Sequence, residues 1–278
     1  MPKKIGAGGK PQDYNPDGTY GAGKTGNSKK REKNEHQRML KLKKSFAEYR
    51  NKIKNNPTPQ VNDSKIESKP KYSINGIEYQ LIKKSVEFIF HGDDGVHNAT
   101  AYETKDGMNF VWDSDGNESL QFISPTQAIG VFYNLPKSLR ALSQKTIAFV
   151  NYSNPDDAYW QQTYQDFTRS LATSGEEITF YQNGGVSDET LRDVYIHEIA
   201  HNIDIDLLGG ERFSESSAYA DIMSADNKLN SLISPTLYGR NSPTEDFAES
   251  ITMYYTARDV MEKYFPNRTK FIKSILGD

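Results

Sequence analysis

The residues of this chain best suited by type and spacing to do chemistry stand in the run His197-Glu-Ile-Ala-His201. On a helix, four residues advance by about 400° and about 6 Å, so both imidazoles leave one face a turn apart and can converge on one cation. Glu198 then stands beside the pair, able to take a proton from water without itself holding the cation. A zinc ion there lowers the pKa of water from about 15.7 to roughly 7 and polarises a carbonyl, so the expected chemistry is peptide-bond hydrolysis with Glu198 as general base. With 5 His among 278 residues, such a triplet arises by chance roughly 0.005 times per chain of this composition.

The surrounding residues read as the helix that must carry the motif. Asp188 and Glu189 suit the positive end of a helix running from Asp188 to about Leu208, and Gly209-Gly210 suits its termination. Leu191, Val194, Ile196, Ile199, Ile203 and Leu207 point in several directions around it, which implies burial on most sides. Two histidines and a glutamate buried there are costly unless a partner such as a metal compensates them.

Catalytic zinc takes three protein ligands and leaves a fourth position to solvent or substrate. The chain has no cysteine, so the third ligand must be His, Asp or Glu. Ser242-Pro-Thr-Glu245-Asp-Phe-Ala-Glu249 begins a second helix with Glu245 and Glu249 on one face, and Glu245 is the candidate. The same residues also read as a capping box, with Ser242 as N-cap, Pro243 in the first turn and Glu245 three residues on.

Together, His197-Glu-Ile-Ala-His201-Asn-Ile-Asp204 and Tyr238-Gly-Arg-Asn-Ser-Pro-Thr-Glu245-Asp-Phe-Ala-Glu249 resemble the lethal-factor-like zinc peptidases, which include the anthrax lethal factor catalytic domain and the Pro-Pro endopeptidases. That family has a tyrosine seven residues before its ligand glutamate, a spacing Tyr238 and Glu245 reproduce, which favours ligation over a purely capping role. The resemblance implies that His197, His201 and Glu245 bind zinc, Glu198 is the general base and Tyr238 stabilises the oxyanion. Glu249 and Asp204 are candidates for acceptors that orient the ligand imidazoles, with ordinary helix-surface roles as the alternative. The clear part of the match runs from about Thr146 to Phe271. It implies a zincin-like α+β domain with a small mixed sheet, in which the strand Glu177 to Gln182 is the edge along which an extended peptide or protein substrate lies.

The elements expected around the motif follow from patterning. From about Tyr72 apolar and polar residues alternate, with Asn75-Gly76 and Asp106-Gly107 as hairpin turns and Asp94-Gly95 and Asp115-Gly116 as further turns. Asp113-Ser-Asp-Gly-Asn resembles part of a calcium loop but lacks a full ligand set, and is read as a turn. His91 and His97 flank a loop and are assigned no metal. Short helices are expected from Ser124-Pro125 to about Tyr133 and from Pro136 to Leu142, strands over Thr146 to Tyr152 and Glu177 to Gln182, and a helical or irregular segment through Trp160, Tyr164 and Phe167.

Charge divides the chain. Residues 1–70 hold 17 Lys+Arg against 7 Asp+Glu, a net of +10, which leaves -13 for the remainder of a chain whose total is -3. Residues 1–28 are too poor in aliphatic side chains to offset the entropy of ordering and read as a disordered tail. Gly18 to Thr25 matches the phosphate-loop spacing but lacks the strand before it and the apolar helix after it, so no nucleotide is expected. Residues 29–56 read as a basic amphipathic helix with Leu42, Phe46, Tyr49 and Ile53 on one face, suited to an anionic partner or to docking on its own domain. Residues 57–71 read as a linker, and residues 72–278 as the metallopeptidase domain.

No secretory leader core and no membrane-length apolar run appear. The expectation is therefore a cytoplasmic protein, or one released by a non-classical or phage-associated route. The alternative to a peptidase is an interaction or mobile-element structural protein that keeps a zincin scaffold and binds its partner through the basic arm.

Overall fold

The structure, a computed structural model, describes residues 71–74, 77–91, 95–113, 123–163, 169–182 and 185–277. The phosphate-loop-like run, the expected basic helix, nearly all of the linker and the Asp115-Gly116 turn lie outside these residues. None of the described helices is long and apolar enough to cross a membrane.

The described residues form a mixed α+β fold with one seven-stranded sheet and eight α-helices. The strands are β1 (Lys71–Ile74), β2 (Ile77–Phe88), β3 (His97–Thr104), β4 (Asn109–Asp113), β5 (Thr146–Phe149), β6 (Ala172–Ser174) and β7 (Ile178–Phe180), in the order β1-β2-β3-β4-β5-β7-β6. β1 to β4 form an antiparallel meander, as the alternating pattern requires. Its β3–β4 turn places Gly107 at φ 80°, in the left-handed region that glycine occupies without strain. β4, β5 and β7 are parallel, which forces crossovers through α1 (Pro125–Asn134), α2 (Lys137–Arg140) and α3 (Asp157–Thr163).

Strand β7 is not the sheet's edge. It lies between β5 and β6, with Thr173 of β6 opposite Thr179, so the edge on this side is β6. A three-residue strand is too short to leave a legible period in the sequence, which is why Glu177 to Gln182 looked terminal.

Large side chains on one face of the parallel strands run in a stacked file toward the helices. Trp112 of β4 stacks on Phe149 of β5 (4.3 Å), and Phe149 on Phe180 of β7 (5.2 Å). Phe180 meets Tyr195 edge-on at 5.0 Å. Tyr195 belongs to α4 (Asp188–Asp206), is fully buried, and donates its hydroxyl to Ala128 O of α1 (3.2 Å). The file therefore seats α4 on the sheet.

The remaining helices form a second layer: α5 (Ser217–Leu229), α6 (Pro243–Thr256), α7 (Arg258–Tyr264) and α8 (Pro266–Leu276). Phe213, Tyr219, Phe247 and Phe271 close an aromatic core among them, with Phe213 and Phe271 stacked at 4.8 Å. Beside that core lies a buried ionic cluster. Arg268 of α8 donates Nε and Nη2 to the carboxylate of Asp246 on α6 (2.9 and 3.1 Å) and Nη1 to Asp226 on α5 (3.2 Å). All three residues are fully buried.

Candidate metal centre

Helix α4 is fixed at both ends by local chemistry. Ser187 caps it by accepting from Thr190 N (3.1 Å), and Gln127 of α1 donates to Asp188 Oδ1 (2.9 Å). At the other end Gly209 and Gly210 take φ of 69° and 117°, and Gly210 N–H reaches back to Ile205 O (3.0 Å). Toward its C-terminal end, Asn202 donates to Leu142 O (2.7 Å), tying the helix to the turn that follows α2. His197, Glu198 and His201 thus project from a helix that cannot easily rotate.

His197 Nε2 and His201 Nε2 lie 3.1 Å apart. Glu245 of α6 brings Oε2 to 3.1 Å from His197 Nε2 and 3.7 Å from His201 Nε2. This is a group of three ligand atoms within 4.8 Å of one another, and it could hold a metal ion. Two readings of Glu245 had competed, and the residue shows the Ser242 half of the capping box together with a side chain placed where it could hold a metal. Its backbone N–H donates to the Ser242 N-cap (3.1 Å), while Oε2 of its side chain turns to the histidines.

The electrostatics of the group centre on one positive charge. Burial alone would lower the His197 pKa, but hydrogen bonds with Glu245 and Glu249 outweigh it and hold the ring up at about 10. His201 is pushed down to about 3, by burial first and then by the charge on His197. Burial raises Glu245, yet its two histidine neighbours bring it below the ordinary carboxylate range. The buried Glu198 is raised by loss of solvation to about 7, with His197 pulling it down and Glu245 pushing it up. Nδ1 of His201 is buried and has no hydrogen-bond partner among the described residues.

The two candidate orienting acceptors part company. Glu249, one turn after Glu245, places Oε1 2.8 Å from His197 Nδ1, so that ring is held from behind while Nε2 faces the cluster. Asp204 faces elsewhere. Its carboxylate accepts from Ser214 N (2.6 Å) and Ser214 Oγ (2.7 Å), and Arg212 stands 3.8 Å away. It anchors the turn Phe213–Glu215 that follows α4 and contacts neither imidazole through a hydrogen bond. Tyr238 opens a short 3-10 turn (Tyr238–Arg240) just before α6, and its ring centroid lies 5.8 Å from that of His197.

A family model described as "Anthrax toxin lethal factor, N- and C-terminal domain" matches residues 137–275, half of the chain. The chain belongs to the anthrax toxin lethal factor family. Among curated proteins, none matches it. The lethal factor match runs from α2 to α8 and contains all seven residues singled out above, from His197 to Glu249. Its limits lie within ten residues of the stretch that motif resemblance had marked.

Within this lethal factor-family fold, sequence reasoning missed two contributors. Gly239 is one: a Cβ there would fall against Ser234 Oγ and come within 3.3 Å of Asp246 Cα and Glu249 Cβ, so only glycine lets the Tyr238 turn lie this close to α6. The other is the Arg268–Asp246 pair, which secures the residue next to Glu245. The Gly239 signal was present as a glycine beside Tyr238; the Arg268 pairing left none, because its partners are remote in sequence.

Proposed function

We propose that this chain is a zinc-dependent endopeptidase of zincin type. The observation that carries the reading is the triangle of His197 Nε2, His201 Nε2 and Glu245 Oε2, with edges of 3.1, 3.1 and 3.7 Å. Ligands about 2.0–2.1 Å from a tetrahedral zinc stand about 3.3–3.4 Å from one another, and the triangle scatters around that value. Two imidazoles and a carboxylate without cysteine form a catalytic type of donor set. Glu245 Oε2 is buried and faces the two ring nitrogens, a setting that a cation held between them would satisfy.

Zinc held by His197, His201 and Glu245 would make hydroxide accessible near neutral pH and polarise the scissile carbonyl. Glu198, on the same helix face edge, takes the proton of the attacking water and delivers it to the leaving amine. Tyr238 donates its hydroxyl to the oxygen that gains negative charge, an interaction made mainly in the transition state. Glu249 keeps the His197 ring oriented through Nδ1. An extended peptide or protein substrate would pair with β6, the strand at the edge of the sheet, rather than with β7.

Replacing Glu198 by Gln keeps size and burial while removing the base. The variant is expected to bind zinc in the same stoichiometry as the parent and to cleave a peptide library slower by about two to four orders of magnitude. Equal turnover would refute the assignment of Glu198. No cleavage by either protein, with zinc bound to both, would favour a non-enzymatic scaffold.

A further inference from the structure

Asp204 stands three residues after His201 on α4, and its fully buried carboxylate takes two bonds from one residue: Ser214 donates both its backbone N–H (2.6 Å) and its hydroxyl (2.7 Å). A serine hydroxyl has one proton. Given to Asp204 Oδ2, it leaves the Ser214 oxygen only lone pairs to offer, and the hydroxyl facing that oxygen is Thr244 Oγ1, at 3.3 Å. Thr244 is the second residue of α6 and the neighbour of Glu245. No earlier turn of α6 supplies a carbonyl for its proton, so Thr244 donates to Ser214. The donors therefore run in one direction, Thr244 to Ser214 to Asp204, from the helix that carries Glu245 to the helix that carries both histidines. Ser214 is 2% exposed, so water does not compete for these bonds.

The turn Phe213–Glu215 that bears Ser214 is itself packed in place. Its Phe213 stacks on Phe271 of α8 at 4.8 Å and meets Phe247 of α6 edge-on at 6.2 Å. Other fastenings of α6 do not set its spacing from α4. Asp246 ties it to Arg268 of α8, and the Ser242 cap lies within its own start. Glu249 does reach α4, but by bonding the ring of His197 itself. Ser214 joins the two helices through residues outside the group that could hold the metal.

We infer that Ser214 is a positioning residue for the metal cluster: with Asp204 and Thr244 it fixes the spacing between α4 and the first turn of α6, and so how closely Glu245 approaches His197 and His201. This rests on the zinc reading above.

The test compares the full chain with its Ser214→Ala, Thr244→Val and Thr244→Ser variants. Each is titrated with zinc against a competing chelator, and each is loaded with cobalt for its visible absorption. Valine approximates the shape of threonine without the hydroxyl, whereas serine keeps the hydroxyl. Thr244→Val should weaken zinc binding about fivefold, the worth of one neutral hydrogen bond, and Ser214→Ala about tenfold or more, with the stoichiometry at saturation unchanged. Thr244→Ser should keep the parent's affinity. The cobalt bands, which report the arrangement of the ligands, should shift in Thr244→Val and return in Thr244→Ser, a signature that loss of stability alone would not produce. Unaltered affinity and bands in both Ser214→Ala and Thr244→Val overturn the inference. So does an equal loss in Thr244→Val and Thr244→Ser, since the hydroxyl would then be idle. Should Ser214→Ala fail to fold, the Thr244 pair alone decides. Failure of the zinc reading shows separately, as a parent chain that takes up no zinc, and the inference falls with it.

Discussion

Helix α6 carries adjacent residues into two very different buried clusters, and the contrast separates scaffold from site. Asp246 enters a cluster in which every partner is matched: it accepts from Arg268 Nε and Nη2 and from Tyr219 Oη (2.7 Å), while Asp226 accepts from Arg268 and from the Asn267 backbone and amide. Glu245 enters a cluster in which two ring nitrogens face each other at 3.1 Å and Oε2 closes on both, leaving more ligand atoms than donors between them. Burial is similar in kind, and charge is present in both. A matched cluster is complete as it stands, whereas three potential ligand atoms within 4.8 Å of one another could hold a cation.

The sharpest way to break this contrast is to unmatch the scaffold cluster. Arg268→Met leaves two fully buried carboxylates without their counter-charge, and should destabilise the domain by about 3–5 kcal/mol. Chemical denaturation of parent and variant, each with and without zinc, measures it. A loss below about 1 kcal/mol would mean the cluster is not the fastening it looks like. Because Asp246 adjoins Glu245, the surviving folded fraction should also bind zinc more weakly.

What the sequence disclosed follows the range of the interaction that made each feature. Helix α4 and both its ends were legible because first-turn acids and terminal glycines act within a few residues of the helix they bound, while its Ser187 cap went unread. The convergence of His197 and His201 from one helix face was legible for the same reason. Glu245 was ambiguous from local evidence, since one residue serves both as a backbone donor to Ser242 and as a side chain facing the histidines, and only family resemblance favoured the second role. Asp204 looked like an orienting residue by spacing, yet its nearest donors lie ten residues on, in the turn it anchors. The Arg268 cluster joins residues 22 and 42 positions apart, and no local pattern announces it. The mixed sheet was foreseen in kind, but the β6 edge was hidden in three residues.

The site cluster is broken by Glu245→Gln, which preserves shape and the backbone donor to Ser242 but removes the carboxylate charge. Zinc content by elemental analysis should fall from stoichiometric to a small fraction, and the thermal stabilisation by zinc should shrink with it. For the parent, zinc at a hundred times its Kd should add about 2.7 kcal/mol. Undiminished stabilisation in the variant would remove Glu245 from the ligand set. Unlike Arg268→Met, this change should cost the zinc-free protein little, because the His197 ring keeps its second carboxylate partner, Glu249 Oε1.

The smallest effect separates the two roles of Glu245. Ser242→Ala deletes the hydroxyl that accepts from Glu245 N (3.1 Å) and should cost about 1 kcal/mol, the ordinary worth of an N-cap. The carboxylate is held by its place on α6, and that helix is also fixed by Phe247 in the aromatic core and by Asp246 on Arg268. Zinc stoichiometry should therefore survive the loss of the cap. If Ser242→Ala instead emptied the site while leaving the melting temperature nearly unchanged, the first turn of α6 would be held by its cap alone, and the matched cluster would not extend its rigidity as far as Glu245.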